Sequence, residues 1–426
     1  MRKISKISLV AAVAVAGFST ANAQPLEEAI KNVDVSGSVV YRYNNYDRDL
    51  KTTPSTSRQT ESNNYKIGLN LSSKVNDYVK FNSRFIVGSD TDFAKLDSKK
   101  NDVGDGNASV TLSNAYFGFT AIPNTVVNVG KQGLTTPYTV AVDINGNEQN
   151  GTGILALSTF GPITAGAGYF NGTNVTTSGN GIAGGDKKTS ELFAATNTGN
   201  GGLDMYVATV QGDLDFVKLE AWYAGLQNTF GSYTLAATSK LDLAENAKLG
   251  LEARYVNLTL NNKAQRNAGL TSDDNSMIRL AVDGKFSIVN ARLAYTMTDK
   301  DGGLTALDQN AKNTSLGWFI TSNGIADADY FQGALGVDIL DNLNFTANYG
   351  YLKADKADAG KSRLNNWGIT GTDAQDLKQQ EVYGQLTYKM SKNLSTYLRY
   401  GNFEQKVGGT KNIDQDAGRL QVAYTF

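Results

Sequence analysis

Asp143 and Glu148 are the only charged residues in an Asn- and Gly-rich stretch covering residues 134–151. Arg42, Arg84, Lys131, Arg254 and Arg292 lie in segments where polar and apolar residues alternate. Acids on one side of a wet space and bases on the other set up a transverse field. Such a field orders water and sorts solutes by charge and dipole. Covalent chemistry is poorly provided for, because the chain has no histidine and no cysteine. That removes the commonest general base and transition-metal ligand, and it removes thiol nucleophiles and disulfides. Ser-His-Asp, Cys-His and zinc-His chemistries are therefore excluded. The remaining Asp and Glu residues sit in no motif that marks a catalytic cleft, so the sequence argues against an enzyme.

Strands must position these charges. Period-two alternation, the mark of a strand with two unlike faces, recurs along the whole chain. In 33–43, Val33, Val35, Val39, Tyr41 and Tyr43 oppose Asp34, Ser36, Ser38 and Arg42. In 78–88, Val79, Phe81, Phe85 and Val87 oppose Lys80, Asn82 and Arg84. The same holds in 64–74, 247–260, 287–298 and 380–390. A charged face inside a soluble sandwich would be costly, whereas one lining a wet lumen costs little. Mean hydropathy is −0.33, and no apolar run of about 18 residues follows the N-terminus, which excludes a helical membrane protein. A barrel remains allowed, because only alternate residues of its strands meet lipid.

The connections alternate in length as well. Short ones are expected near 75–77, 121–124, 161–162, 212–213, 242–246, 285–286, 340–342 and 391–393. Long ones are expected near 44–63, 89–109, 134–151, 172–202, 261–275, 299–327, 353–379 and 404–415, with 226–229 a short exception among them. Short turns on one side and long loops on the other are typical of outer-membrane barrels. All five prolines fall outside the expected strands, as the missing ladder donor requires. An even strand count places 190–197 in a loop and gives about eighteen strands, with sixteen as the alternative. The fold class expected is all-β: a transmembrane antiparallel barrel with short periplasmic turns, long extracellular loops and the third loop folded into the pore.

The ends of the chain fit export. Arg2, Lys3 and Lys6 precede the apolar run Ile7 to Phe18 and the small-x-small site Ala21-Asn22-Ala23. Residues 1–23 read as a cleaved signal peptide, and 24–426 as one barrel domain. At the other end Leu420, Val422, Tyr424 and Phe426 alternate up to the terminal carboxylate. This is similar to the closing strand of outer-membrane barrels, in which the terminal aromatic (here Phe426, with Tyr424) is read by the barrel assembly machinery.

The stretch Pro25-Leu26-Glu27-Glu28-Ala29-Ile30-Lys31-Asn32-Val33-Asp34-Val35-Ser36-Gly37, followed by Tyr41-Arg42-Tyr43, resembles the start of the major outer membrane protein of Campylobacter and its relatives. Chain length, Gly130-Lys131-Gln132 before Thr136-Pro137, and Trp222-Tyr223 agree more loosely. The resemblance implies an 18-stranded homotrimeric porin in the bacterial outer membrane, cation-preferring, among lipid bilayer and lipopolysaccharide, and in some members a surface adhesin or antigen.

On this reading Asp143 and Glu148 form an acidic constriction, with Arg42, Arg84, Lys131, Arg254 and Arg292 on the pore wall. Val79, Phe81 and Phe85 are candidates for a flat subunit-facing wall. The permeants would be ions and small hydrophilic solutes. A substrate-specific channel would need stacked aromatics or a line of bases along the path, and the sequence places neither. No cofactor is expected. Asp90, Asp92, Asp97, Asp102 and Asp105 lack the EF-hand spacing for Ca²⁺, although a structural Ca²⁺ in the lumen stays open. The net charge of −1 shows no basic block, so nucleic acid is not a partner. The alternative function is an adhesin that binds host molecules through its long loops.

Overall fold

The computed structural model describes residues 32–50, 56–88, 94–95, 109–145, 148–175, 203–268, 270–357 and 375–426. Eighteen antiparallel strands form one closed barrel. The first six are β1 (Val33–Leu50), β2 (Thr56–Asn76), β3 (Val79–Gly88), β4 (Ser109–Phe119), β5 (Thr125–Gly133) and β6 (Asn150–Phe160). The next six are β7 (Ile163–Thr173), β8 (Met205–Leu214), β9 (Val217–Leu226), β10 (Phe230–Ala244), β11 (Ala247–Leu260) and β12 (Asp274–Phe286). The last six are β13 (Val289–Thr298), β14 (Ala328–Leu340), β15 (Leu343–Ala357), β16 (Gln375–Lys389), β17 (Leu394–Val407) and β18 (Thr410–Thr425). A two-residue strand, Ala94–Lys95, pairs with Asn64 and Tyr65 of β2. One short helix, α1 (Asn262–Ala268), lies between β11 and β12.

Each strand pairs with its sequence neighbour, and β18 returns to β1 in a register running from Ser38–Thr425 to Leu50–Ile413. Closure leaves no free edge, which is what lets a sheet stand in lipid. Short turns sit where expected. Several use a residue with left-handed backbone, among them Asn124 at φ 57°, Asp215 at φ 53° and Ser287 at φ 53°. Two long connections were expected wrongly: β1 runs on to Leu50 and β2 starts at Thr56, so most of 44–63 is ladder. β17 and β18 run on to Val407 and Thr410, and Gly408-Gly409, with φ of 57° and 80°, close a tight hairpin in place of a loop over 404–415. Alternation is weaker there, with Glu404, Lys406, Lys411 and Asp414 all polar, but ladder pairing still carries the hairpin.

The outer surface carries the apolar set. Tyr78, Phe160, Phe216 and Phe286 are exposed beside the short turns, and Tyr169, Tyr206, Tyr223, Phe331 and Tyr400 toward the other end. Two such aromatic levels with Val and Leu between them are the lipid-facing band of a barrel.

The expected signal peptide (1–23), residues 190–197 and the acidic residues Asp90, Asp92, Asp97, Asp102 and Asp105 lie outside the described residues.

Candidate functional site: two loops inside the barrel

Two connections fold inward. The first spans 134–149 between β5 and β6. Its own frame comes from Leu134 N–H donating to Gln149 O at 2.9 Å and Gln149 N–H donating to Val140 O at 2.8 Å. On one flank Glu148 receives Arg84 Nε at 2.8 Å and Nη2 at 2.7 Å, and the Ser113 hydroxyl at 2.7 Å. Lys66 Nζ donates to the Asp143 carbonyl. On the other flank Tyr138 is fully buried, and its hydroxyl accepts from Thr234 Oγ1 of β10 at 2.9 Å. This loop therefore crosses from β2 and β3 to β10.

The second inward connection spans 299–327 between β13 and β14, and its insertion gives no signal in the sequence. It meets the first loop through Leu307 N–H to Tyr138 O at 2.9 Å, Asn313 N–H to Pro137 O at 2.9 Å and Asn145 Nδ2 to Asn310 Oδ1 at 3.2 Å. Arg254 Nη1 holds Asn313 Oδ1 at 3.2 Å, and Arg279 donates to the carbonyls of Lys312 and Thr314. At its tip, Glu381 of β16 accepts three backbone N–H groups. They come from Trp318 at 3.0 Å, Phe319 at 2.8 Å and Ile320 at 3.3 Å. A buried carboxylate stabilised by several N–H donors is a firm anchor. Gly317 makes this approach feasible, because a Cβ there would collide with Glu381 Oε1 and the Tyr330 hydroxyl.

These loops explain why the inner wall is not polar throughout. Val256, Leu258, Met277, Tyr330, Leu352, Leu377 and Phe403 face inward and pack with Leu134, Tyr138, Leu307, Ile320 and Ile325 in one apolar cluster. Below the loops the inner face returns to polar residues such as Asn290, Arg292 and Asn344.

The expected site residues separate into three groups. Arg42, Arg84, Arg254 and Arg292 are on the lumen face. Arg42 Nε donates to Gln421 Oε1 at 2.8 Å, and Arg292 grips Asp283 at 2.6 Å. Asp143 and Glu148 are on the inserted loop, but both are buried. Asp143 Oδ1 accepts the Asn145 N–H at 2.7 Å, and Glu148 is consumed by its pair with Arg84. Lys131 is a correction. It pairs with Ala115, in register with Val129–Phe117 and Val127–Phe119, which puts it on the outer face, where it donates to the Leu112 carbonyl at 2.6 Å. Its reassignment follows from strict two-residue alternation along β5: Asn128 and Gln132, not Lys131, face the inserted loop.

Tyr424 and Phe426 stack at 5.7 Å on the outer face. Gly37 and Phe426 exchange two backbone hydrogen bonds, of 2.9 and 3.1 Å, extending the closing seam to the last residue.

Residues missed in the sequence reading are Glu381, Trp318, Arg279, Arg399 and Arg419. The strand alternation that places Glu381, Arg279, Arg399 and Arg419 was legible; Trp318 lies on the second loop, whose meeting with the wall was not. Among the described residues no group of three or more carboxylates is arranged to hold a metal. Between the first loop and β4–β9 a cavity of about 530 Å³ remains, lined by Tyr116, Asn128, Gln211, Glu220 and Trp222 with Lys312 from the second loop.

The fold matches solved outer-membrane proteins. OpdQ of Pseudomonas aeruginosa superposes with a TM-score of 0.65 at 18% identity, covering 92% of this chain and 99% of that one. OprD of Pseudomonas aeruginosa gives 0.64 at 17%, covering 92% and 94%. OccAB3 of Acinetobacter baumannii gives 0.66 at 15%, covering 92% and 99%. No curated protein matches the sequence. The family model for the Campylobacter major outer membrane protein matches residues 1–426. The chain, an outer-membrane porin-like barrel, belongs to the Campylobacter major outer membrane protein family.

Proposed function

We propose that this protein is a passive channel through which ions and small hydrophilic solutes cross the outer membrane. The observation that carries the reading is a closed barrel with an apolar outside, whose two inserted loops are tied to the inner wall by charged side chains while a cavity lined by both polar and apolar side chains stays between loop and wall. Transport of this kind needs a lumen and a field, not covalent chemistry. The signal peptide is cleaved before Gln24, the barrel assembly machinery inserts the chain beside lipopolysaccharide, and three copies associate. The flat apolar wall around Val79, Phe81 and Phe85, where Phe81 packs on Phe117 at 5.2 Å, supports that assembly.

Cation preference is the expectation that the family carries. Asp143 and Glu148 are the acids that the first loop brings against the inner wall, Glu148 paired with Arg84. The test is single-channel conductance of the native protein in a planar bilayer under a salt gradient. Openings in groups of three with a cation-positive reversal potential support the reading, and Asp143→Asn should shift that potential toward zero. A silent protein with intact β-type circular dichroism would overturn it in favour of a plugged barrel.

A further inference from the structure

The cavity of about 530 Å³ between the first loop and β4–β9 falls within the roughly 300–1,000 Å³ that small-molecule pockets span. One side of it is apolar, with Leu155, Leu157 and Phe170 on the wall and Leu134 and Pro137 on the loop. The rest is made of amide, hydroxyl and aromatic groups that β4, β5, β8 and β9 turn inward. An apolar floor with a few converging polar groups is the usual make-up of a site for a small organic molecule.

Several of these polar groups have bonds to spare. Gln132 of β5 is only 3% exposed, and its Nε2 donates to the Asn128 carbonyl at a long 3.4 Å, which leaves its amide oxygen unused. Gln211 of β8 donates from Nε2 to Thr209 Oγ1 at 3.3 Å, and its oxygen is unused as well. Among the described residues no protein group bonds to the Tyr116 hydroxyl, the Asn128 side-chain amide or the Lys312 ammonium. Polar groups enclosed in this way call for partners.

Glu220 and Trp222 are two residues apart on β9 and so share the lumen face. The indole Nε1 donates to Glu220 Oε2 at 3.3 Å, which holds ring and carboxylate side by side. Glu220 Oε1 has Lys218 Nζ at 3.9 Å, but Lys218 lies outside the lining. The lining itself holds one acid, Glu220, and one base, Lys312, so no net charge selects a cation or an anion. Its amides and its tyrosine hydroxyl offer donors and acceptors together. A solute hydroxyl is likewise both at once, whereas an ion calls for one kind only.

We propose that this cavity is a subsite for a neutral polyhydroxylated solute of sugar size. Its hydroxyls bond to Asn128, Gln132, Gln211 and Glu220, and its C–H face lies against the Trp222 indole and the Tyr116 ring. Aromatic rings suit that role, because they present a large rigid surface with little side-chain freedom to lose. The subsite is uncharged overall, so it coexists with a channel whose field favours cations. It rests on the porin reading only in that the solute must enter the lumen.

The test uses D-glucose as probe and the full-length protein in lauryldimethylamine oxide, a detergent without a sugar headgroup. Saturation-transfer difference NMR follows binding as glucose is titrated, and wild type should give a saturable signal. Gln211→Ala removes one neutral hydrogen bond and should weaken binding about threefold to tenfold. Trp222→Ala should weaken it about tenfold or more, and Trp222→Phe, which keeps a ring, should retain more binding than Trp222→Ala. Glu220→Gln should keep glucose binding, because the amide oxygen still accepts from a hydroxyl. Asn348→Ala removes an inward amide from β15, on the far wall, and should leave binding unchanged. Circular dichroism confirms that each variant is folded. Absence of saturable glucose binding, equal loss in Asn348→Ala, or saturable binding of choline in place of glucose would overturn the proposal. Conductance in potassium chloride is read separately: a silent channel that still binds glucose sinks the porin reading and leaves the subsite standing.

Discussion

Arg84 and Glu148 form a two-point ion pair, Nη2 to Oε1 at 2.7 Å and Nε to Oε2 at 2.8 Å, with side chains only 8% and 3% exposed. One is on the wall and the other on the inserted loop, so the pair works as a clasp more than as an exposed filter charge. Removing one partner strands a buried charge, which costs about 3–5 kcal/mol. Arg84→Gln should therefore lower the stability of the barrel markedly. The double variant Arg84→Gln/Glu148→Gln should lose less than the two single effects added together. Urea unfolding in lipid vesicles reads both, and strict additivity would contradict the clasp.

The tip of the second loop hangs on Glu381. Glu381→Gln replaces the charged acceptor of three N–H donors, and bonds to a charged group contribute about 1.5–3 kcal/mol each at most. Gly317→Ala places a methyl where Glu381 and Tyr330 already sit. Both variants should free the loop tip and give a larger, noisier single-channel conductance than wild type. Unchanged current traces in both would mean that the loop does not narrow the path.

Leu293 tests the assignment of faces. It is 69% exposed in the middle of β13, opposite Val282 and Gly333. Leu293→Arg should cost about 2–4 kcal/mol in a bilayer, the scale for a base at the midplane of a barrel wall. Asn290→Arg, on the lumen face of the same strand, should cost much less. Equal penalties in vesicle unfolding would contradict the assignment of inside and outside.

Phe426 ends the closing seam with its backbone bonded to Gly37 and its ring on Tyr424. Phe426→Ala keeps the backbone bonds and removes the exposed aromatic. Folding into vesicles that contain the assembly machinery should slow, and unassisted folding should change little. A similar slowing in both would assign the ring a structural role instead.

The sequence determined the class of this protein. Alternation fixes which face of a strand meets lipid, because the side-chain period is two in every strand. The absence of long apolar runs set the rest, and so β3 and β11 were legible almost residue by residue, whereas β1 runs seven residues past its expected end at Tyr43. Lys131 shows the limit: one residue of slip reverses a side chain's face, and only the pairing with Ala115 decides it. The extended hairpin at Gly408-Gly409 was hidden for a related reason, since a strand beyond the lipid needs no apolar face. The interior was decided by tertiary structure alone. Glu148 meets Arg84 across 64 residues of chain and Glu381 meets Phe319 across 62, and no local pattern encodes such encounters.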